Sequence, residues 1–279
     1  MDVKLMAFDL DGTLLNEEKQ ISKRSYNALE AAGKAGIEIV PATGRLYKGL
    51  PAELKALPFL RYVIAGNGAA VLEEPGDKLI YQADLSLEMA DRILSYLEGF
   101  PVLYCCFSKN RALINRIFYE QMERYMPNPY IRKQMLAMYE PVEDFRRKLW
   151  EKGGDIQKIQ LLFQDLELRK KMLEELPELF SGIAVSSSLE NNIEINHKNA
   201  NKGAGLKALC SHLGITLSEC MAFGDGTNDI SMLKMAGIGI AMGNAEMAVK
   251  RIADHVALTN VKDGVAVEIE RILRIGETI

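Results

Sequence analysis

Short apolar runs, each ending in a polar turn that contains glycine, recur along the chain and set its organisation. Val3-Lys4-Leu5-Met6-Ala7-Phe8 reads as a buried strand and stops at Asp9-Leu10-Asp11-Gly12-Thr13. Ser22 offers an N-cap to a helix in which Tyr26, Leu29 and Ala32 recur at helical spacing, and Gly33 and Gly36 mark its end. Ile37-Glu38-Ile39-Val40 gives a second strand that runs into Pro41-Ala42-Thr43-Gly44-Arg45. Pro41 is expected where the ladder has already stopped, because it has no N–H to donate. Tyr62-Val63-Ile64-Ala65 gives a third strand and leads into Gly66-Asn67-Gly68-Ala69. Val71-Leu72 and Leu79-Ile80-Tyr81, around Pro75-Gly76-Asp77, then read as a hairpin. Strands alternating with helices in this way predict an α/β fold with a parallel, doubly wound sheet.

From about residue 84 the pattern changes. Residues 89–97 have helical spacing, 102–107 are apolar, and 119–141 contain Pro and Tyr but no turn of the earlier kind. An alternating strand at 155–163, a charged helix at 166–176 and strands at 182–186 and 192–196 follow. This stretch reads as an α+β insertion, residues 84–190, inside a core formed by residues 1–83 and 191–279. Its methionines and aromatics, Trp150 included, are expected in the insertion's own core rather than around a ligand. The doubly wound pattern then resumes. A helix begins at Asn201 or Lys202, with Leu206, Leu209, Cys210 and Leu213 as its buried stripe. Met221-Ala222-Phe223 ends in Gly224-Asp225-Gly226-Thr227-Asn228-Asp229, and a helix with Ile230, Leu233 and Ala236 follows, stopped by Gly237. A strand at 238–242 ends at Gly243-Asn244, and a last helix spans 264–273.

Composition narrows the partners. With 48% hydrophobic and 26% charged residues the chain has the balance of an ordinary globular protein. A net charge of -4 and a pI near 5.6 give no basic footprint for nucleic acid. No apolar run approaches the roughly 20 residues that span a bilayer, and the amino terminus lacks a secretory pattern, so a cytoplasmic protein with no membrane partner is expected. Cys105, Cys106, Cys210 and Cys220 lack the CxxC spacing of zinc sites and are expected as buried, reduced thiols. His197, His212 and His255 are scattered and suggest no metal site or triad.

The acidic turns carry the chemistry. In an open α/β sheet ligands bind beyond the carboxyl ends of the strands, which is where Asp9 and Asp11 fall. Strand alternation sends both to one side unless the turn has begun, and a divalent cation relieves the repulsion of two such acids. Taken alone the stretch is equally an ordinary Asp- and Gly-containing turn. Thr43 offers a hydroxyl and Gly44 an unobstructed amide to a phosphate oxygen, or Thr43 simply caps the next helix. Lys202 stands at a helix amino terminus, a position that suits an anion arriving there; on its own it reads as a solvated lysine. Asp225 and Asp229 mirror the opening acids, and the twelve-residue spacing of a calcium loop is absent. Together the four turns supply complementary parts. Asp9 with Asp225 can hold a hard cation, Mg2+ preferring one or two carboxylates plus water and substrate phosphate, while Thr43 and Lys202 hold the remaining phosphate oxygens.

Asp9-Leu10-Asp11-Gly12-Thr13, Thr43-Gly44-Arg45, Lys202-Gly203 and Gly224-Asp225-Gly226-Thr227-Asn228-Asp229, in that order, resemble the four motifs of the haloacid dehalogenase superfamily of phosphohydrolases. The insertion between the second and third motifs, with Asn67-Gly68-Ala69 before it and Ala241-Met242-Gly243-Asn244-Ala245 late in the chain, resembles the Cof-type subfamily with a type IIB cap. The resemblance implies a Rossmann-like core and an inserted cap that selects substrate. It implies Asp9 as nucleophile, forming an aspartyl-phosphate, and Asp11 as the group that protonates the leaving alcohol and then deprotonates water. It implies Mg2+ held by Asp9, Asp225 and the backbone carbonyl of Asp11, with Asp229 supporting Asp225 from behind. Leu10 and Gly44 would offer backbone amides, and Thr43, Lys202 and Asn228 side chains, to the phosphoryl group. The segment Asn196-His197-Lys198-Asn199-Ala200-Asn201 departs from relatives, which often carry proline and a serine or valine before the lysine. The expected function is a Mg2+-dependent phosphatase for a small phosphomonoester, a sugar phosphate or a phosphorylated cofactor or nucleotide precursor. A phosphosugar mutase of the same superfamily and a phospho-accepting regulator are the alternatives. Arg45 and Asn67 are further candidate contacts, and neither substrate identity nor oligomeric state is legible.

Overall fold

The computed structural model describes residues 2–45, 47–75, 78–108, 111–152, 156–187 and 189–274. The chain divides into two compact units, Met1–Gln82 with Ala200–Ile279, and Ala83–Asn199. Strands are numbered in chain order: β1 (Leu5–Phe8), β2 (Glu38–Pro41), β3 (Tyr62–Ala65), β4 (Ala70–Glu73) and β5 (Lys78–Gln82) precede the second unit. β6 (Leu103–Ser108), β7 (Arg111–Asn115), β8 (Tyr139–Val142), β9 (Lys158–Leu162), β10 (Ile183–Ser186) and β11 (Asn192–His197) lie within it, and β12 (Cys220–Gly224), β13 (Ile238–Ala241) and β14 (His255–Val256) follow.

In the first unit a five-stranded parallel sheet has the order β14-β13-β12-β1-β2. β1 and β12 occupy its middle and are apolar and buried on both faces, as parallel strands covered by helices must be. The chain passes from β1 to β2 on one side and later returns to build β12, β13 and β14 on the other. This reversal places the switch point beyond β1 and β12, the position where such sheets bind ligands. Phe8 pairs with Phe223 in the ladder and stacks on it at 5.5 Å, directly beneath the turns that carry Asp9 and Asp225. The first helix, Lys23–Lys34, is capped by Ser22; it runs through Gly33, and Gly36 takes the positive φ beyond its end.

Two local expectations change. Pro41 lies inside β2, opposite Phe8. It is tolerated because Ala42 N–H makes the next bond to β1, at 2.7 Å to Phe8 O, so the missing donor falls on the side away from β1. β3 leaves the parallel ladder: two isolated bridges, Ile39 with Leu60 and Ala42 with Ile64, tie it to β2. It pairs instead with β4 and β5 in a three-stranded antiparallel sheet. Gly76 and Asp77 of the expected hairpin turn lie outside the described residues, as does Asp155.

The second unit is a six-stranded sheet, β10-β11-β9-β6-β7-β8, antiparallel except for β7 with β8. The helices Leu87–Leu97 and Leu166–Leu179 bury Ile93, Leu94, Leu97, Met172 and Leu176 in its core. The return to the first unit comes after Asn199 rather than at residue 191, because β11 pairs with β10 on one side and β9 on the other. β7, β8 and the helix Phe145–Lys152 were not among the expected elements. Trp150, expected in the core, is 48% exposed on that helix, and Tyr130 and Met138 are exposed as well. Cys105, Cys106, Cys210 and Cys220 are buried free thiols. No helix among the described residues is long and apolar enough to cross a membrane.

Candidate active site

The turn after β1 is a tight one. Thr13 N–H donates to Leu10 O, Leu14 N–H to Asp9 O and Leu15 N–H to Leu10 O, while Asp9 N–H continues the ladder to Phe223 O at 3.0 Å. Gly12 adopts φ +91°, and a Cβ there would lie 2.3 Å from Asp225 Oδ2, so two requirements demand glycine at one position. The close approach brings the two acidic turns together. Thr13 Oγ1 donates to Asp225 Oδ1 at 2.9 Å, a link across 212 residues.

Lys202 joins the other acids. Its helix, Lys202–Leu213, is capped by Asn201, whose Oδ1 accepts from Ala204 N–H. From this first helical position Nζ donates to Asp9 Oδ1 at 2.5 Å and Asp229 Oδ1 at 2.6 Å, and the lysine side chain is 0% exposed. The lone-lysine reading at this helix start therefore gives way to a buried ion triad. Asp229 Oδ2 accepts from Asp225 N–H at 2.9 Å and Gly226 N–H at 3.0 Å, so one of its oxygens organises the loop after β12 while the other holds Lys202.

Asp9, Asp225 and Asp229 each place a carboxylate oxygen within 4.8 Å of the others. Burial, opposed by Lys202 and reinforced by Asp229, pushes the Asp9 carboxyl up to about 7. Burial also raises Asp225, against the hydrogen bond from Thr13. Burial lowers Lys202, but Asp229 and Asp9 more than offset it and leave its ammonium above the ordinary range. Three carboxylates share one ammonium in a largely buried pocket of oxygen donors, so negative charge is in excess whenever all three are ionised. That charge and donor set fit a divalent hard cation such as Mg2+.

The side chain of Asp11 is not in this cluster. Arg45 grips it with Nε at 2.8 Å and Nη2 at 2.7 Å, and Lys19 Nζ lies 2.9 Å away. Burial pushes the Asp11 carboxyl up, but the two cations override it and hold it below its usual range. Thr43 is buried at the end of β2: its Oγ1 accepts from Arg45 N–H and its carbonyl from Asn67 N–H. Asn67, in the left-handed conformation at φ 57°, accepts from Asn228 Nδ2 at 3.1 Å and sits against Gly44. Thr43, Gly44, Asn67 and Asn228 thus form one contiguous wall. Leu10 contributes a fully buried side chain, and its carbonyl closes the turn.

Sequence reading did not find Thr13, Lys19 or the contact of Asn244 with the opening turn. Thr13 was within a recognised motif, and only its partner was hidden. Lys19 had one local signal, a short polar stretch after the turn, in which it takes φ 61°.

Residues 6–269 match the family described as haloacid dehalogenase-like hydrolase. The chain is 35% identical to the phosphatase YwpJ of Bacillus subtilis over 95% of this chain and 98% of that protein. It is 30% identical to the 5-amino-6-(5-phospho-D-ribitylamino)uracil phosphatase YcsE of the same organism, over 95% and 94%. Among solved structures, the subclass IIB sugar phosphatase BT4131 superposes with a TM-score of 0.78 at 27% identity, over 98% of this chain and 100% of that one.

Proposed function

We propose, from the premise that this chain belongs to the haloacid dehalogenase-like hydrolase family, that it is a Mg2+-dependent phosphatase of small phosphomonoesters working through an aspartyl-phosphate. The observation that carries the reading is the buried ion triad of Lys202 with Asp9 and Asp229, beside Asp225. One carboxylate oxygen of Asp9 is held by Lys202, which fixes the plane of the carboxylate and leaves the other oxygen to attack phosphorus. The ester P–O bond breaks as the Asp9–phosphorus bond forms, and Asp11 gives its proton to the leaving alcohol. Water then attacks the phosphorus of the aspartyl-phosphate and loses a proton to Asp11; Asp9 is regenerated and inorganic phosphate departs.

Asp9, Asp225 and the backbone carbonyl of Asp11 would hold the Mg2+, which supplies charge neutralisation to the phosphoryl oxygens when bound. Leu10 and Gly44 amides, Thr43 Oγ1, Asn228 Nδ2 and Lys202 Nζ bind those oxygens. Asp11 must leave Arg45 and Lys19 to take up its proton, since that ion pair favours its charged form. The second unit, Ala83–Asn199, would select the leaving group. A sugar phosphate or a phosphorylated cofactor or nucleotide precursor is the substrate class that the named relatives support.

The test is phosphate release from a panel containing p-nitrophenyl phosphate, hexose phosphates, nucleotides and 5-amino-6-(5-phospho-D-ribitylamino)uracil, with Mg2+ and with EDTA. Turnover that requires Mg2+ and vanishes in Asp9→Asn is expected. Full turnover by Asp9→Asn would refute the nucleophile, and isomerisation of a sugar phosphate without phosphate release would replace the phosphatase with a mutase.

A further inference from the structure

We infer that Asn244 is a positioning residue: the turn at Gly243-Asn244-Ala245-Glu246 acts as a brace that sets the separation of the two acidic turns. The inference rests on the phosphatase reading and adds a residue to it. Asn244 Nδ2 donates to Gly12 O at 2.7 Å, joining positions 232 residues apart. Two residues on, Glu246 N–H donates to Asp225 O at 3.1 Å. One short turn therefore grips the backbone of both acidic turns, at Gly12 beside Asp11 and at Asp225 itself.

The brace is fixed from behind. Asn244 Oδ1 accepts from Asn260 N–H at 3.0 Å, and Asn260 Nδ2 donates to Leu15 O at 2.9 Å, holding the far side of the opening turn. Lys250 Nζ donates to Gly243 O at 2.7 Å, and Gly243 N–H to Leu258 O at 3.1 Å. Asn244 uses both ends of its amide, donor toward the catalytic turn and acceptor toward Asn260, which a carboxylate or an alkyl group cannot reproduce. Like charges at Asp9 and Asp225 push the two turns apart, and the cation is bound only if they stay at the right separation. Thr13 Oγ1 bonds the turns directly, and the brace bonds them from outside.

The experiment compares wild type, Asn244→Ala, Asn244→Asp and Asn260→Ala. Two quantities are read: the rise in melting temperature on adding MgCl2 without substrate, and the Mg2+ concentration that half-activates p-nitrophenyl phosphate turnover. In Asn244→Ala the metal-free melting temperature should stay within a few degrees of wild type. Half-activation should need about three- to tenfold more Mg2+, the factor one neutral hydrogen bond supplies, with a correspondingly smaller melting shift. At saturating Mg2+, kcat should fall while KM for the ester stays within twofold. Asn244→Asp, which keeps the acceptor and loses the donor, should match the alanine variant. Wild-type Mg2+ responses in Asn244→Ala, or full rescue by Asn244→Asp, overturn the inference. Should Asn244→Ala fail to fold, Asn260→Ala decides by the same two readouts. Absence of wild-type turnover would refute the phosphatase reading instead, and the melting shift tests the brace without any turnover.

Discussion

Replacing Lys202 by methionine keeps most of the side-chain volume and removes the ammonium that bridges Asp9 and Asp229. Lys202 and Asp229 are fully buried and Asp9 is 6% exposed, so the abandoned carboxylates stay poorly solvated. Breaking a buried ion pair by deleting one partner costs about 3–5 kcal/mol, because an uncompensated charge remains. Against a typical stability of about 5–15 kcal/mol this is a large fraction. For a unit of this size it corresponds to a fall in melting temperature of about 6–20 °C. The assay is thermal unfolding followed by circular dichroism in metal-free buffer at pH 7.5, repeated with MgCl2. Mg2+ should raise the melting temperature more in the variant than in wild type, since the cation replaces part of the missing positive charge. Adding Asp229→Asn to Lys202→Met should recover part of the loss, because one buried negative charge is gone while an amide oxygen still accepts from Asp225 and Gly226 N–H. A metal-free variant that melts within 2 °C of wild type, or a double variant less stable than the single one, would refute the reasoning.

Gly12→Ala would put a Cβ 2.3 Å from Asp225 Oδ2 on a backbone at φ +91°; kcat should fall at least about tenfold through displacement of Asp225, with a stability loss of about 1–3 kcal/mol measurable by urea titration. Glu219 is held down to about 2 by Lys4 and by Thr216, below its ordinary 4.5. Its contribution is present above pH 4.5 and fades as the pH falls toward 2, so Glu219→Gln should lower stability at pH 7 and shrink its difference from wild type at pH 2.5, as melting curves at the two pH values will show. Burial pushes Cys105 up to about 12 and Cys106 well above its ordinary value. Intact-mass analysis after iodoacetamide at pH 8 should find neither alkylated in the folded protein and both alkylated in guanidine.

The strand-end turns were legible because each is local. An apolar run of four to six residues, a glycine and an acid lie within one window, and periodicity finds them at Phe8-Asp9 and Phe223-Gly224-Asp225. The same logic failed where local signals conflict. Pro41 looks like a strand breaker, yet it sits in a ladder whose bond at Ala42 does not need its N–H. β11 has the alternation of any half-buried strand, and only its partners β9 and β10 assign it to the second unit. Trp150 looks like core by residue type, but its helix turns that side chain outward.

The sequence alone determined which residues are candidates for the chemistry and which end of which strand carries them, since a residue's type and its place after an apolar run are properties of a few neighbouring positions. It also placed Lys202 at a helix start, where Asn201 caps it. Tertiary structure alone decided what those residues face. The order β12-β1-β2 sets Asp225 on one side of Asp9 and the end of β2 on the other; the register of Phe8 with Phe223 brings Thr13 to Asp225, and the loop after β13 carries Asn244 to Gly12. Arg45, just beyond the end of β2, takes the carboxylate of Asp11 for the same reason. Contacts between residues tens to hundreds of positions apart depend on strand order and register, which are settled by burying the whole core at once, and no local pattern of hydrophobic and polar positions encodes them.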